Sequence, residues 1–252
     1  MMPGGATSAA GHYLGVMKIM RLFAAAAVIA GVVLTAAGPA TVTGLLPYFT
    51  IQSNVGYGIF AAWAAFRGRD TPPALKGAVT LYVAITGLVY HLVLANPASG
   101  FAMGPVHRAL PEAVGNQLLH TVVPLMAVLD WLLFDPRGRF RRRHALYWLA
   151  FPLGYLAFAL IRGLVVGRYP YPFIDVTELG YGGVSVSSAG FAVAFWILGL
   201  FLVAIDRWGG RLRRRPVPEQ RTPEASLREV AGGSTSSARH AAAREAPGGG
   251  TT

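Results

Sequence analysis

The chain contains no cysteine, which excludes a disulfide framework, an iron–sulfur cluster and any thiolate-held metal. Charge is scarce too. Of its 252 residues 13% are charged, about half the share of an ordinary soluble domain. Only 11 residues are acidic, and apart from Asp130 none lies well inside an apolar run. A carboxylate relay for ion-coupled transport therefore has little to work with. No glycine-rich phosphate loop or dinucleotide fingerprint stands in a strand–helix setting.

What is plentiful is apolar sequence, at 54% of residues. A bilayer core of roughly 30 Å takes about 20 apolar residues per helix, and six runs qualify. They are Leu22–Gly38, Leu45–Phe66, Gly77–Asn96, Asn116–Phe134, Ala145–Val166 and Gly183–Ile205. The first follows Lys18 and Arg21 and also has the look of a signal peptide, with Ala36 to Ala40 as its cleavage region. Five further spans and a regular charge pattern favour a retained helix. The loop to Gly115 is punctuated by Pro97, Pro105 and Pro111.

The net charge of +11 suggests nucleic acid until it is sorted by loop. Nineteen of the 22 basic residues fall in the N-terminal segment, the loop after the second run, the Arg-rich loop at 137–143 and the segment from Arg207 onward. Arg108 and Arg168 alone sit in the alternate loops, and Arg162 lies in a span. By the positive-inside rule the basic loops and both termini face the cytoplasm. The excess is a topology signal that also suits anionic lipid headgroups, and no nucleic-acid partner is expected. The reading is an all-α polytopic membrane bundle of six transmembrane helices. Residues 1–17 form a flexible N-terminus, 18–208 the membrane domain, and 209–252 a disordered cytoplasmic tail poor in apolar clusters. A multi-pass protein of a bacterial plasma membrane is expected, with membrane lipids as partners and its oligomeric state open.

Polar residues inside such runs are rare and usually face a bundle interior. Here they gather near the non-cytoplasmic ends. Thr50, Gln52, Ser53 and Asn54 open the second span, His91 closes the third, and Asn116, Gln117 and His120 open the fourth. Arg162 closes the fifth, and Ser185, Ser187 and Ser188 open the sixth. At ~1.5 Å per residue these groups share a layer roughly 6–8 Å below the outer boundary. Thr50, Asn54 and Tyr57 lie on one helix face, as do Asn116, His120 and Pro124. Pro124 is placed to kink its helix.

Thr50 and His120 therefore have the depth to meet as nucleophile and general base. Gln52, Asn54, Asn116 or Gln117 would supply oxyanion donors and Arg162 would hold a carboxylate. Asp175, just outside, is a candidate to orient a histidine. Asp130, near the Arg-rich loop, is expected to pair locally with it. A non-catalytic role, with the layer holding a lipid headgroup or a partner, is the alternative. His91 and His120 as a haem or metal pair is a thinner one, since two histidines without carboxylates or cysteines make a poor ligand set. No metal or cofactor is expected.

Three segments carry a resemblance: Phe49-Thr50-Ile51-Gln52-Ser53-Asn54, then Leu119-His120-Thr121-Val122-Val123-Pro124 with Asp130-Trp131-Leu132-Leu133-Phe134, then Tyr169-Pro170-Tyr171-Pro172-Phe173-Ile174-Asp175. Over residues 45–207 the chain resembles the Pr-six-Pr family of six-pass bacterial membrane proteins. More distantly it is similar to the androgen-induced and androgen-dependent membrane threonine hydrolases of fatty-acid esters of hydroxy fatty acids. That likeness implies Thr50 as nucleophile, His120 as its base and a lipid ester as substrate. The Gln-Ser-Asn after Thr50 and the Tyr-Pro-Tyr-Pro loop follow the bacterial pattern.

Overall fold

A computed structural model describes residues 5–37, 41–68, 71–103 and 108–213. Among them there are helices and loops and no strand. Helix α1 is Gly5–Ala36, a short α2 is Val42–Leu45, α3 is Phe49–Arg67 and α4 is Pro73–Val89. Helix α5, Leu110–Gln117, continues through a wide π turn, Leu118–Val122, into α6, Val123–Phe134. A second π turn, Tyr90–Leu94, ends α4. Helix α7 is Arg142–Tyr147, α8 is Ala150–Val166, and α9 is Val176–Arg213 with Gly180 out of helical geometry at φ +65°.

Five helical segments are long and apolar enough to cross a membrane: Gly11–Ala36, Pro73–Leu94, Leu110–Phe134, Arg142–Val166 and Val176–Leu212. Helices of this length and composition are compatible with an integral membrane protein. Helix α3 is not among them, since Gln52, Ser53 and Asn54 dilute its apolar content. The N-terminus expected to be flexible to residue 17 is helical from Gly5, in continuous register with the segment that buries Met17 and Arg21. Likewise α9 begins at Val176 and runs to Arg213, beyond the expected ends of the sixth run. The tail at 214–252 lies outside the described residues, as do 38–40, 69–70 and 104–107.

The inner bundle is α1, α3, α4 and α6, packed through small side chains. Ala24, Ala27 and Val28 of α1 meet Tyr57, Ala61 and Ala64 of α3, Val79 and Val83 of α4, and Val123 and Ala127 of α6. Between membrane helices lipid leaves no hydrophobic force, so close backbone approach and dispersion carry the packing. Gly58 allows that approach: a Cβ there would lie 3.2 Å from Val28. Helix α8 buries Tyr155, Ala159 and Gly163, one stripe at i, i+4, i+8, with Tyr155 against Phe49 and Gly163 beneath the ring of Tyr169. Helix α9 buries Val184 near one end and Leu202 and Val203 near the other.

At the end of the bundle remote from Thr50 lies a closed ionic network. Arg21 of α1 is fully buried; its Nε donates to Asp130 Oδ1 at 2.9 Å and its Nη1 to the carbonyls of Ala64 and Gly68. Lys76 pairs with Asp130 and, at 3.2 Å, with Asp135, which also accepts from Thr71. Asp130 therefore does not pair with the neighbouring Arg-rich loop. Its partners come from α1 and α4, because only the bundle interior brings charges to a side chain that faces inward. Two cations and two carboxylates balance there, which is what makes such burial tolerable.

Candidate functional site

At the opposite end Pro47 breaks the chain between α2 and α3, and α3 begins beneath it. Tyr155 of α8 donates to the Pro47 carbonyl at 2.9 Å and packs edge-on against Phe49. This fixes the first turn of α3. Thr50 there is buried, and its Oγ1 lies 3.2 Å from His120 Nε2. The expected pair does meet.

The hydrogen-bond partners determine which way the proton lies. His120 Nδ1 is 2.9 Å from the Asn116 carbonyl, which can only accept. Nδ1 therefore carries the hydrogen, and in the neutral ring Nε2 presents its lone pair to the Thr50 hydroxyl. Thr50 Oγ–H donates to a base held in the required tautomer by the backbone of its own helix. The π turn and Pro124 make this geometry available. Pro124 has no N–H for the His120 carbonyl, and the widened turn shifts His120 off the regular α-helical frame. Tyr90 stacks on the His120 ring at 4.1 Å between centroids, and its hydroxyl accepts from Asn116 Nδ2 at 2.7 Å.

A further member comes from the loop between α8 and α9. Tyr171, flanked by Pro170 and Pro172, turns inward and is buried; its hydroxyl accepts from the Thr50 N–H at 3.3 Å and lies 3.4 Å from Thr50 Oγ1. Burial pushes the Tyr171 hydroxyl pKa above its ordinary value near 10, and its hydrogen bonds with Thr50 oppose that only in part. It remains a protonated donor at working pH. In the sequence the Tyr-Pro-Tyr-Pro loop stands out as a motif, with nothing that assigns Tyr171 a role. The two flanking prolines, which stiffen a short re-entrant segment, were the available signal.

The other expected residues divide. Asn54 Nδ2 donates to the carbonyls of Thr50 and Leu119, tying α3 to the π turn, while its Oδ1 is buried without a partner. Asn116 touches His120 through its carbonyl, while its side chain donates to the Tyr90 hydroxyl. Ser53 bonds Thr86 at 2.9 Å, fastening α3 to α4 directly behind Thr50. Gln52 donates to the Leu46 carbonyl at an exposed position and so caps the break at Pro47. His91, Thr121 and Gln117 form a separate exposed chain, His91 to Thr121 at 2.9 Å and Thr121 to Gln117 at 2.8 Å. Both histidines thus engage threonine hydroxyls, and no group of three metal-ligating side chains exists among the described residues.

Arg162 is not in the shared layer. Tyr155 marks the level of Thr50 on α8, and Arg162 lies seven residues further along, roughly 10 Å. There it bonds the Arg168 carbonyl at 3.3 Å. Asp175 Oδ1 accepts from the Thr177 N–H and hydroxyl, capping the start of α9. It bonds no histidine among the described residues.

Beyond Thr50 and Tyr171 opens a cavity of about 80 Å³ between α4, α8 and α9. Its walls are apolar, among them Ile85, Val89, Leu156, Phe191 and Phe195, and its polar groups are Thr50, Thr86, Tyr171 and Ser188. The Ser188 hydroxyl is buried and without a hydrogen-bond partner. Between Val184 and Gly199 no residue of α9 is fully buried, but Phe191 packs on Phe173 at 4.4 Å between ring centroids and the Ser187 hydroxyl donates to the Phe173 carbonyl, which holds this stretch along the cavity. No family model, no curated protein and no solved structure matches the chain.

Proposed function

We propose that the protein is a membrane-embedded hydrolase of lipid or fatty-acid esters that uses Thr50 as nucleophile. The observation that carries this reading is the contact of Thr50 Oγ1 with His120 Nε2 at 3.2 Å, with Nδ1 fixed on a carbonyl. Thr50 Oγ attacks the ester carbonyl while Nε2 takes its proton, giving a tetrahedral oxyanion beside the Tyr171 hydroxyl, which donates to it. The intermediate collapses to an acyl–Thr50 ester as the protonated imidazole returns its proton to the leaving alcohol. Water, deprotonated by His120, then attacks that ester; the carboxylic acid departs and Thr50 regains its hydrogen. The apolar cavity ending at Thr50, about 80 Å³, would take the part of an acyl chain next to the ester.

In this reading α3 is a sixth span. Its polar residues reach partners inside the bundle, which removes the cost of placing them in lipid. Six spans put both termini on the strongly basic side, the cytoplasmic side of a bacterial plasma membrane. The resemblance to the Pr-six-Pr and threonine-hydrolase families agrees with these assignments.

The test is labelling of detergent-purified protein with a fluorophosphonate, comparing wild type, Thr50→Ala, Thr50→Ser and His120→Ala. Labelling of wild type and Thr50→Ser, lost in Thr50→Ala and His120→Ala, is the expected result. An unlabelled but folded wild type would refute catalysis and leave the cavity as a binding site for an acyl chain.

A further inference from the structure

A second depression, of about 690 Å³, lies far from Thr50, between α7 and the last turns of α9. Arg142 and Arg143 of α7 and Arg207 and Arg211 of α9 line it together with Leu146, Trp196, Leu200, Val203, Ala204 and Trp208. Two things distinguish it from an ordinary basic loop.

The first is the order of its lining. Along α9, Trp196, Leu200, Val203, Arg207 and Arg211 recur at three- and four-residue intervals and so form one stripe. Its first part is apolar and its last part cationic. From Trp196 to Arg207 is roughly 16 Å along the helix axis. An apolar trough leading into a cluster of guanidiniums is the profile of a phospholipid, acyl chain first and phosphate last. The second is that the charges lack acids. None of the four arginines has a carboxylate partner among the described residues, whereas Arg21, Lys76 and Arg108 each do. Asp206, the nearest acid on this part of α9, is turned away: its carboxylate accepts from the Phe140 N–H at 2.7 Å and its carbonyl from the Gly138 N–H.

We propose that this groove binds one anionic phospholipid, its phosphate held by Arg142, Arg143, Arg207 and Arg211 and an acyl chain laid along Trp196 and Leu200. Guanidinium forks match phosphate oxygens in pairs, and basic pockets between membrane helices are where such headgroups are held. The lipid would link α7 to the end of α9 at a place where they share no side-chain hydrogen bond among the described residues. The proposal does not depend on chemistry at Thr50.

The test is native mass spectrometry of the full chain in a zwitterionic detergent, titrated with dioleoylphosphatidylglycerol or dioleoylphosphatidylcholine. Phosphatidylglycerol is expected to bind at least ~10-fold more tightly than phosphatidylcholine. Arg207→Ala with Arg211→Ala, or Arg142→Ala with Arg143→Ala, should remove that preference. Lys18→Ala with Arg67→Ala, which deletes two cations from another face, should leave it within about twofold. Trp196→Ala should weaken phosphatidylglycerol while sparing competition by inorganic phosphate. Two independent arginine pairs guard against one variant failing to fold. Equal binding of the two lipids by wild type, or equal loss in the Lys18/Arg67 variant, would overturn the proposal. So would complete displacement of the lipid by millimolar inorganic phosphate, which would make the groove a site for free phosphate.

Discussion

Asp130→Asn is the substitution whose consequence can be worked furthest from the structure. The change is nearly isosteric but removes one of two carboxylates that balance Arg21 and Lys76, all four groups lying at or below 6% exposure. What is left is a buried net positive charge shared between two cations and Asp135. Breaking such a network by removing one partner costs about 3–5 kcal/mol. For a chain of this size each kcal/mol lowers the melting temperature by about 2–4 °C, so a fall of roughly 6–20 °C is expected. The assay is thermal unfolding in detergent followed by intrinsic tryptophan fluorescence, which has Trp131, the residue after Asp130, as a buried reporter. The sharper arm is the double variant. Lys76→Met alone leaves a buried negative excess, whereas Lys76→Met with Asp130→Asn restores neutrality. The pair is therefore expected to be far less destabilised than the sum of the single variants. A shift below about 2 °C for Asp130→Asn, or simple additivity in the pair, would refute the reasoning that the network is held by charge balance.

Other substitutions probe the remaining contacts. Tyr171→Phe deletes the donor beside Thr50 while keeping the ring packed on Phe173; stability should fall by about 1 kcal/mol and fluorophosphonate labelling by at least ~10-fold, and unchanged labelling would remove Tyr171 from the site. Because folding favours the neutral Tyr171 hydroxyl, its contribution is present below pH ~10 and lost as pH rises past the unfolded value; Tyr171→Phe should thus flatten the alkaline limb of a stability profile. Gly77→Ala would drive a Cβ into the Trp148 indole and to 3.0 Å from Phe140, an overpacking expected to cost about 1–3 kcal/mol in the same melt. Asp175→Ala removes the α9 cap, costs about 1 kcal/mol and leaves labelling intact; a lost signal would return Asp175 to the reaction.

The apolar runs were legible because bilayer thickness sets a length that composition alone can reveal. Thr50 and His120 were legible for a related reason: counting residues from a span end gives depth, and both helices keep that count. Arg162 failed by the same rule. The chain after α8 folds back into the bundle, so the end of that run is not the level of the site, and only the contact of Tyr155 with Pro47 shows it. Asp130 failed differently. Sequence offered the arginines a few positions away, while its partner Arg21 is 109 residues distant. Tyr171 was hidden because a loop tyrosine has no period to betray which way it points.

The two wide turns, at Tyr90–Leu94 and Leu118–Val122, lie at the same level of adjacent helices. A π turn amounts to one residue inserted into an α-helix, and one residue is about 100° of rotation. The one at Leu118–Val122 joins α5 to α6 and therefore works as a clutch between them, whereas the one at Tyr90–Leu94 closes α4. Helix α6, which bears Asp130, keeps the register the ionic network demands. Helix α5, which bears Asn116, is turned independently. Side chains around Thr50 can be exchanged, and even the frame beyond them re-set by gain or loss of a single codon, without disengaging the charges that hold the opposite end together.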